Sequence, residues 1–280
     1  MIIKDTIKFL LFGSIFIACC TVAMCIETNL LLHVPLNGLS FYCFVFGATL
    51  LQYNLHYLVK IKAVNNSSRL IWSLENKPIH RILIIAALLL IVGSMFTFHL
   101  HHFIFLLGLG GIACLYSLPI LPFRQKKRLK DFGLLKIIVL ALLWTLVTVW
   151  FPVNQMKYND VSFQMVFFRR FTFMFILCLL FDIRDVEIDG SEKIKTLPVI
   201  IGNHYAYLLC YALLLIFLLL SFLQFLYIPE AIPLTIMLFS AIATLFTIEY
   251  SRNHNSDYVY LACVDGMMML QAAMVILSSI

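Results

Sequence analysis

The sequence predicts an all-α fold: a polytopic membrane bundle of about nine transmembrane helices around a central cavity. Three observations predict it. The 280 residues are 62% hydrophobic and only 12% charged, with a mean hydropathy of +0.99, well outside the composition of ordinary soluble domains. Apolar runs of about 20 residues, the length that crosses a bilayer as helix, recur along the whole chain. Lysine and arginine gather on one side of those runs. A single transmembrane domain over residues 1–280 follows. The net charge of +6 suits basic loops at a membrane surface and calls for no nucleic acid. The eight cysteines lie in apolar segments with no C-x-x-C pair. They read as small buried hydrophobes without a disulfide framework.

Taken in order, the expected spans are 7–28, 38–60, 80–99, 101–118, 134–152, 162–182, 204–227, 231–250 and 257–279. The first begins behind Lys4 and Lys8 and has the look of a secretory signal as far as Ala18-Cys19. It continues apolar to Ile26, long enough to span, and reads as the first transmembrane helix. Proline and glycine punctuate the joints: Pro35, Pro78, Pro119, Pro152, Gly190, Gly202 and Pro229 among them. Threading the chain through these spans puts 17 of the 20 Lys and Arg on one side. Lys157, Arg169 and Arg170 fall on the other. By the positive-inside rule the N-terminus is cytoplasmic. His99, His101 and His102 fall on the far side without a nearby carboxylate or cysteine, and read as an interfacial turn.

The sixth span ends in the most informative stretch, Asp182-Ile183-Arg184-Asp185-Val186-Glu187-Ile188-Asp189-Gly190. Its aspartates stand at i, i+3 and i+7, so a continuous helix carries all three on one face. Two readings are open from spacing alone. One is a solvated acidic turn with Arg184 and Lys193 as partners. The other is a divalent-cation site, most simply Mg²⁺ or Ca²⁺ on hard oxygen ligands.

This stretch, with Ile194-Lys195-Thr196-Leu197-Pro198 behind it, resembles the second aspartate motif of the UbiA superfamily of intramembrane prenyltransferases. The resemblance extends over about residues 41–202. Asn76-Lys77-Pro78-Ile79 is similar to the segment that opens the third helix in that family. Tyr116-Ser117-Leu118-Pro119, with basic residues from Arg124 onward, is similar to the segment after the fourth. Trp144 to Thr148, ending at Pro152, resembles the fifth helix. The first family motif, an asparagine followed by two aspartates at the end of the second helix, is degenerate. Asn54 matches it, but Leu58 and Lys62 stand where the aspartates belong.

The resemblance implies an integral membrane prenyltransferase. It implies transfer of a prenyl group from an isoprenoid diphosphate to a lipophilic acceptor among the membrane lipids. Asp182, Asp185 and Asp189 are then the catalytic and metal-binding residues, holding Mg²⁺, one ion rather than two. Asn54, His56, Lys62, Tyr116, Arg124 and Lys195 are the expected substrate-binding residues. Lys62 is expected to stand in for the metal that the degenerate motif has lost, with Asn54 facing the aspartates across the cavity. A non-catalytic reading competes with this one: a lipid-binding or scaffold protein on the same fold, with structural aspartates. A transporter is the weakest class, since no internal repeat with matching broken helices is visible. Glu249 reads as solvated near a span end. Asp265 lies deeper, where an ionisable group is expensive.

Overall fold

The structure, a computed structural model, describes residues 2–59, 68–98, 100–117, 132–153 and 158–279. Its regular elements are all helical among the described residues. In chain order they are α1 (Ile2–Phe12), α2 (Ile15–Leu31), α3 (Leu39–Val59), α4 (Ser68–Glu75), α5 (Lys77–Met95), α6 (Leu100–Ser117) and α7 (Gly133–Thr145). A π-helical turn, Leu146–Trp150, continues α7. There follow α8 (Val161–Arg184), α9 (Val186–Ser191), α10 (Leu197–Ile201), α11 (Asn203–Tyr227) and α12 (Ala231–Asn253). A second π-turn, Val259–Val264, leads into α13 (Gly266–Ser278).

Five helices among the described residues are long and apolar enough to cross a membrane: Lys77–Met95, Gly133–Trp150, Asn203–Tyr227, Ala231–Asn253 and Val259–Ser278. The bent pair α1–α2 makes a sixth. On this criterion, applied to the described residues, the expected count of nine is not confirmed. The apolar part of α3 is shorter, Leu39–Leu55, and α8 carries Arg169, Arg170 and Asp182 along its length. The protein is an integral membrane protein. Large apolar side chains such as Leu89, Leu215, Leu226 and Phe246 are exposed on α5, α11 and α12, an outer surface that suits lipid.

Helix α8 sits at the centre. Asp160 caps its N-terminus, the carboxylate accepting the Ser162 backbone N–H at 3.0 Å. Phe173, Ile176, Leu177, Leu179 and Leu180 are buried around its circumference, with Arg169, Arg170 and Asp182 buried beside them. It packs on α7 and α11, α2 packs on α13 and α3, and α3 packs on α5. Gly47 of α3 faces the Ala87 carbonyl, where an added Cβ would sit 3.0 Å away. Small residues let these two backbones approach closely.

The first span differs from expectation. It breaks between Phe12 and Ile15 with a 62° bend, and Ser14 takes a left-handed φ of 64°. The bend leaves the Gly13 carbonyl outside a continuous helix ladder, and the Asn54 amide donates to it at 3.1 Å. Arg169 and Arg170 also depart from the sequence reading. They were counted as far-side charges, and they are buried within α8.

Candidate active site

The end of α8 that carries the aspartates is built by three segments. The helix does not run on through the motif. It stops at Arg184, Asp185 is the junction residue, and α9 starts at Val186. The i, i+3, i+7 face is therefore broken, and the three carboxylates separate into two groups.

Asp182 and Asp189 stay together around a lysine. The Lys136 ammonium, one turn into α7, lies 2.9 Å from Asp182 Oδ1 and 2.9 Å from Asp189 Oδ2. All three side chains are largely buried, the lysine at 18% exposure and the aspartates at 6% and 8%. Asp182 Oδ2 is buried with no hydrogen-bond partner among the described residues. What places Lys136 is Gly133. A Cβ on Gly133 would stand 1.6 Å from the Lys195 carbonyl oxygen and 2.6 Å from the Thr196 nitrogen. Glycine alone lets the start of α7 rest on the backbone of the Ile194–Pro198 segment. The same contact brings the next turn of α7 to the aspartates.

Asp185 turns the other way. Arg184 donates to both its oxygens, at 2.8 and 3.2 Å. The same guanidinium lies 3.7 Å from Asp257 and over the rings of Phe181 and Tyr260, at 5.0 and 4.9 Å. Asp257 accepts the Arg69 backbone N–H at 2.9 Å, and Arg69 donates to Ser14 Oγ at 2.9 Å. A chain of polar contacts thus ties α4, the α1–α2 break, the α12–α13 junction and the end of α8 together.

A divalent ion of the kind the resemblance implies does not fit these residues. Among the described residues, no three His, Cys, Asp or Glu stand close enough to hold a metal ion. The ammonium of Lys136 already fills the space between Asp182 and Asp189, and Asp185 is held by Arg184. The three aspartates do not gather around one point: α8 ends at Arg184, Asp185 pairs with that arginine, and Lys136 stands between Asp182 and Asp189.

Of the expected substrate-binding residues, the side chains of Asn54, Tyr116 and Lys195 are described. Asn54 is fully buried, and its amide donates to the carbonyls of Gly13 and Leu50, at 3.1 and 2.8 Å. Its oxygen lies 2.6 Å from His80 Nδ1. Its polar atoms are engaged by neighbouring helices rather than aimed at the aspartates. Tyr116 is half-buried near the end of α6, and Lys195 is exposed. Lys62, Arg124 and the His56 side chain lie outside the described residues, as do the side chains of His99, His101 and His102.

Several functional candidates escaped the sequence reading. Lys136 is one: it stands inside an apolar run, near the start of the span expected over 134–152. Glu27 sits within the first span, fully buried, 2.9 Å from Arg170 Nη2. Gln271 donates to Glu27 at 2.9 Å, and Ser240 donates to Gln271 at 3.1 Å. Arg169 donates to Gln224. An ionisable residue inside an apolar run was the available signal for both Lys136 and Glu27. Asp265 is buried just past the second π-turn. Glu249 is exposed and pairs with Arg252 at 3.2 Å.

A helical membrane bundle with a buried carboxylate–ammonium cluster at one end of its central helix is the class that fold and site define. Residues 76–263 match the model of the UbiA prenyltransferase family. The chain belongs to that family. Its fold is similar to the structure of a UbiA homologue from Archaeoglobus fulgidus bound to GPP and Mg²⁺. That match has a TM-score of 0.66 at 16% identity, covering 96% of this chain and 98% of that one. The same homologue bound to DMAPP and Mg²⁺ gives 0.61 at 17% identity, with coverage of 96% and 98%. A structure described for digeranylgeranylglyceryl phosphate synthase gives 0.57 at 14% identity, covering 98% and 97%. No curated protein sequence matches the chain.

Proposed function

We propose that the protein transfers a prenyl group from an isoprenoid diphosphate to a lipophilic acceptor dissolved in the bilayer. The observation that carries this reading is the ammonium held between two buried carboxylates, at the motif that the family places beside the diphosphate. In the reaction, the bond between the prenyl C1 and the diphosphate oxygen breaks, and its electron pair leaves with the diphosphate. The acceptor forms the new bond to C1 and gives up a proton. The protein must supply positive charge where the diphosphate oxygens gain negative charge. Lys136 can do so, and Asp182 and Asp189 fix its ammonium in place. Asp182 Oδ2, which has no partner among the described residues, is available to a donor on the acceptor. Lys195 and Tyr116 are proposed as further diphosphate contacts, together with His56, Lys62 and Arg124. The aspartate end is proposed to face the cytoplasm, from the distribution of Lys and Arg.

One observation favours the second reading, a lipid-binding or scaffold protein on this fold: the structural engagement of Asn54 with Gly13, Leu50 and His80. A product screen separates the two. Purified protein is incubated with labelled prenyl diphosphates of several lengths and a mixture of lipid and quinone-precursor acceptors, and prenylated products are detected by mass. A product absent from the Asp182→Asn variant supports the transferase. Binding of labelled lipid without any product across the panel favours the scaffold.

A further inference from the structure

We propose that Lys136 is a built-in replacement for the divalent ion at the aspartate motif, so that this protein takes its diphosphate ligand without metal. The inference rests on the proposed diphosphate function for its ligand, but not for its cation.

The geometry is that of a cation site with the cation covalently attached. The ammonium meets one oxygen of each carboxylate at 2.9 Å, in the range of charge-assisted N–H···O⁻ bonds. Mg²⁺ would draw the same oxygens to about 2.0–2.1 Å and would demand an octahedral shell. It would also have to evict the ammonium, because two cations cannot share the space between Asp182 and Asp189. Eviction would strip a largely buried carboxylate pair of its hydrogen bonds, with water excluded from most of the site.

Two further features show that the arrangement is built. Gly133 permits a backbone contact with Lys195 and Thr196 that no other residue allows, and this contact sets the position of Lys136 one turn later. Arg184 removes the third carboxylate by binding both oxygens of Asp185. The first motif points the same way from sequence: Leu58 and Lys62 occupy the places of its two aspartates. Loss of carboxylates at one motif and an internal cation at the other together lower the need for divalent ions at both.

The test has a metal arm and a ligand arm. In the metal arm, wild-type protein in neutral phosphatidylcholine nanodiscs is titrated with Mn²⁺ and bound ion is read by electron paramagnetic resonance. Wild type is expected to show no site that depends on Asp182. Lys136→Ala is expected to gain one, tighter by on the order of a hundredfold or more, the scale of removing a like charge at contact distance. The gained site should vanish in Lys136→Ala/Asp182→Asn. Lys136→Gln, which keeps an amide donor near the carboxylates, serves if the alanine variant fails to fold. A stoichiometric Mn²⁺ site in wild type that is lost in Asp182→Asn overturns the proposal. So does the absence of a gained site in both lysine variants.

In the ligand arm, binding of labelled prenyl diphosphate to wild type is compared in EDTA and in Mg²⁺. Equal affinity supports metal-free binding, and binding only with Mg²⁺ overturns it. No binding in either condition, with the metal arm as expected, counts against the diphosphate function while leaving Lys136 as the site's cation.

Discussion

Gly133→Ala should dismantle the lysine-centred site without touching a charged residue. The added methyl would stand 1.6 Å from the Lys195 oxygen, 2.0 Å from the Lys195 carbonyl carbon and 2.6 Å from the Thr196 nitrogen. Ordinary contact begins near 3.4 Å, so α7 and the 194–198 segment must part by about 1.8 Å. All the obstructing atoms are backbone, so no side chain can swing away. A shift of that size would stretch the 2.9 Å ion pairs of Lys136 beyond 4 Å unless the lysine stem followed. Overpacking in a well-packed interior costs about 1–3 kcal/mol. The unpaired carboxylates add to that, because removing one partner from a buried charge pair costs about 3–5 kcal/mol. We expect a loss of several kcal/mol, read as a fall in midpoint on thermal unfolding in detergent. Gly93→Ala is the control. Nothing lies within 4 Å of its Cβ position, and α5 should gain up to about 1 kcal/mol from the better helix former. If Gly133→Ala unfolds within a degree of wild type, the close approach is not what positions Lys136, and the origin argued here for the site fails.

Other perturbations test other parts. Glu27→Gln should destabilise by about 3–5 kcal/mol, because it leaves the buried Arg170 without its counter-charge; Glu27→Leu/Arg170→Met should recover most of that loss in the same unfolding assay. Asn54→Ala removes two donated bonds and the partner of His80, and should cost about 1–3 kcal/mol, with no accompanying change in diphosphate affinity; a selective loss of affinity would return Asn54 to the binding site. Glu249→Gln, at an exposed pair with Arg252, should change stability by less than about 1 kcal/mol.

Much of this was legible in the sequence, for identifiable reasons. Membrane residence and an all-helical fold follow from hydropathy, because a bilayer leaves the backbone few alternatives. The aspartate stretch was visible because three carboxylates at a span end are conspicuous in an apolar chain. What local spacing could not show is the break at Asp185. It treats the motif as one helix, whereas tertiary partners hold its end: Arg184 reaches Asp257, and Asp189 of α9 reaches Lys136 of α7. Lys136 was hidden by counting charges per loop, which assigns a lysine near a span end to the surface. Arg169 and Arg170 fall inside the expected span 162–182, and what the sequence hid was their partners. Their partners Gln224 and Glu27 lie 55 and 143 positions away in sequence, and nothing local connects them.

The most direct test of the central claim is pyrophosphate release from labelled prenyl diphosphate. Wild type, Asp182→Asn and Glu249→Gln would be compared in nanodiscs supplied with the acceptor mixture. The account predicts release by wild type and by Glu249→Gln. It predicts a fall of about a hundredfold or more in Asp182→Asn, the scale seen when one charge-stabilising group is removed from a transition state. Release by Asp182→Asn at the wild-type rate, or no release by wild type with any prenyl length, would contradict it.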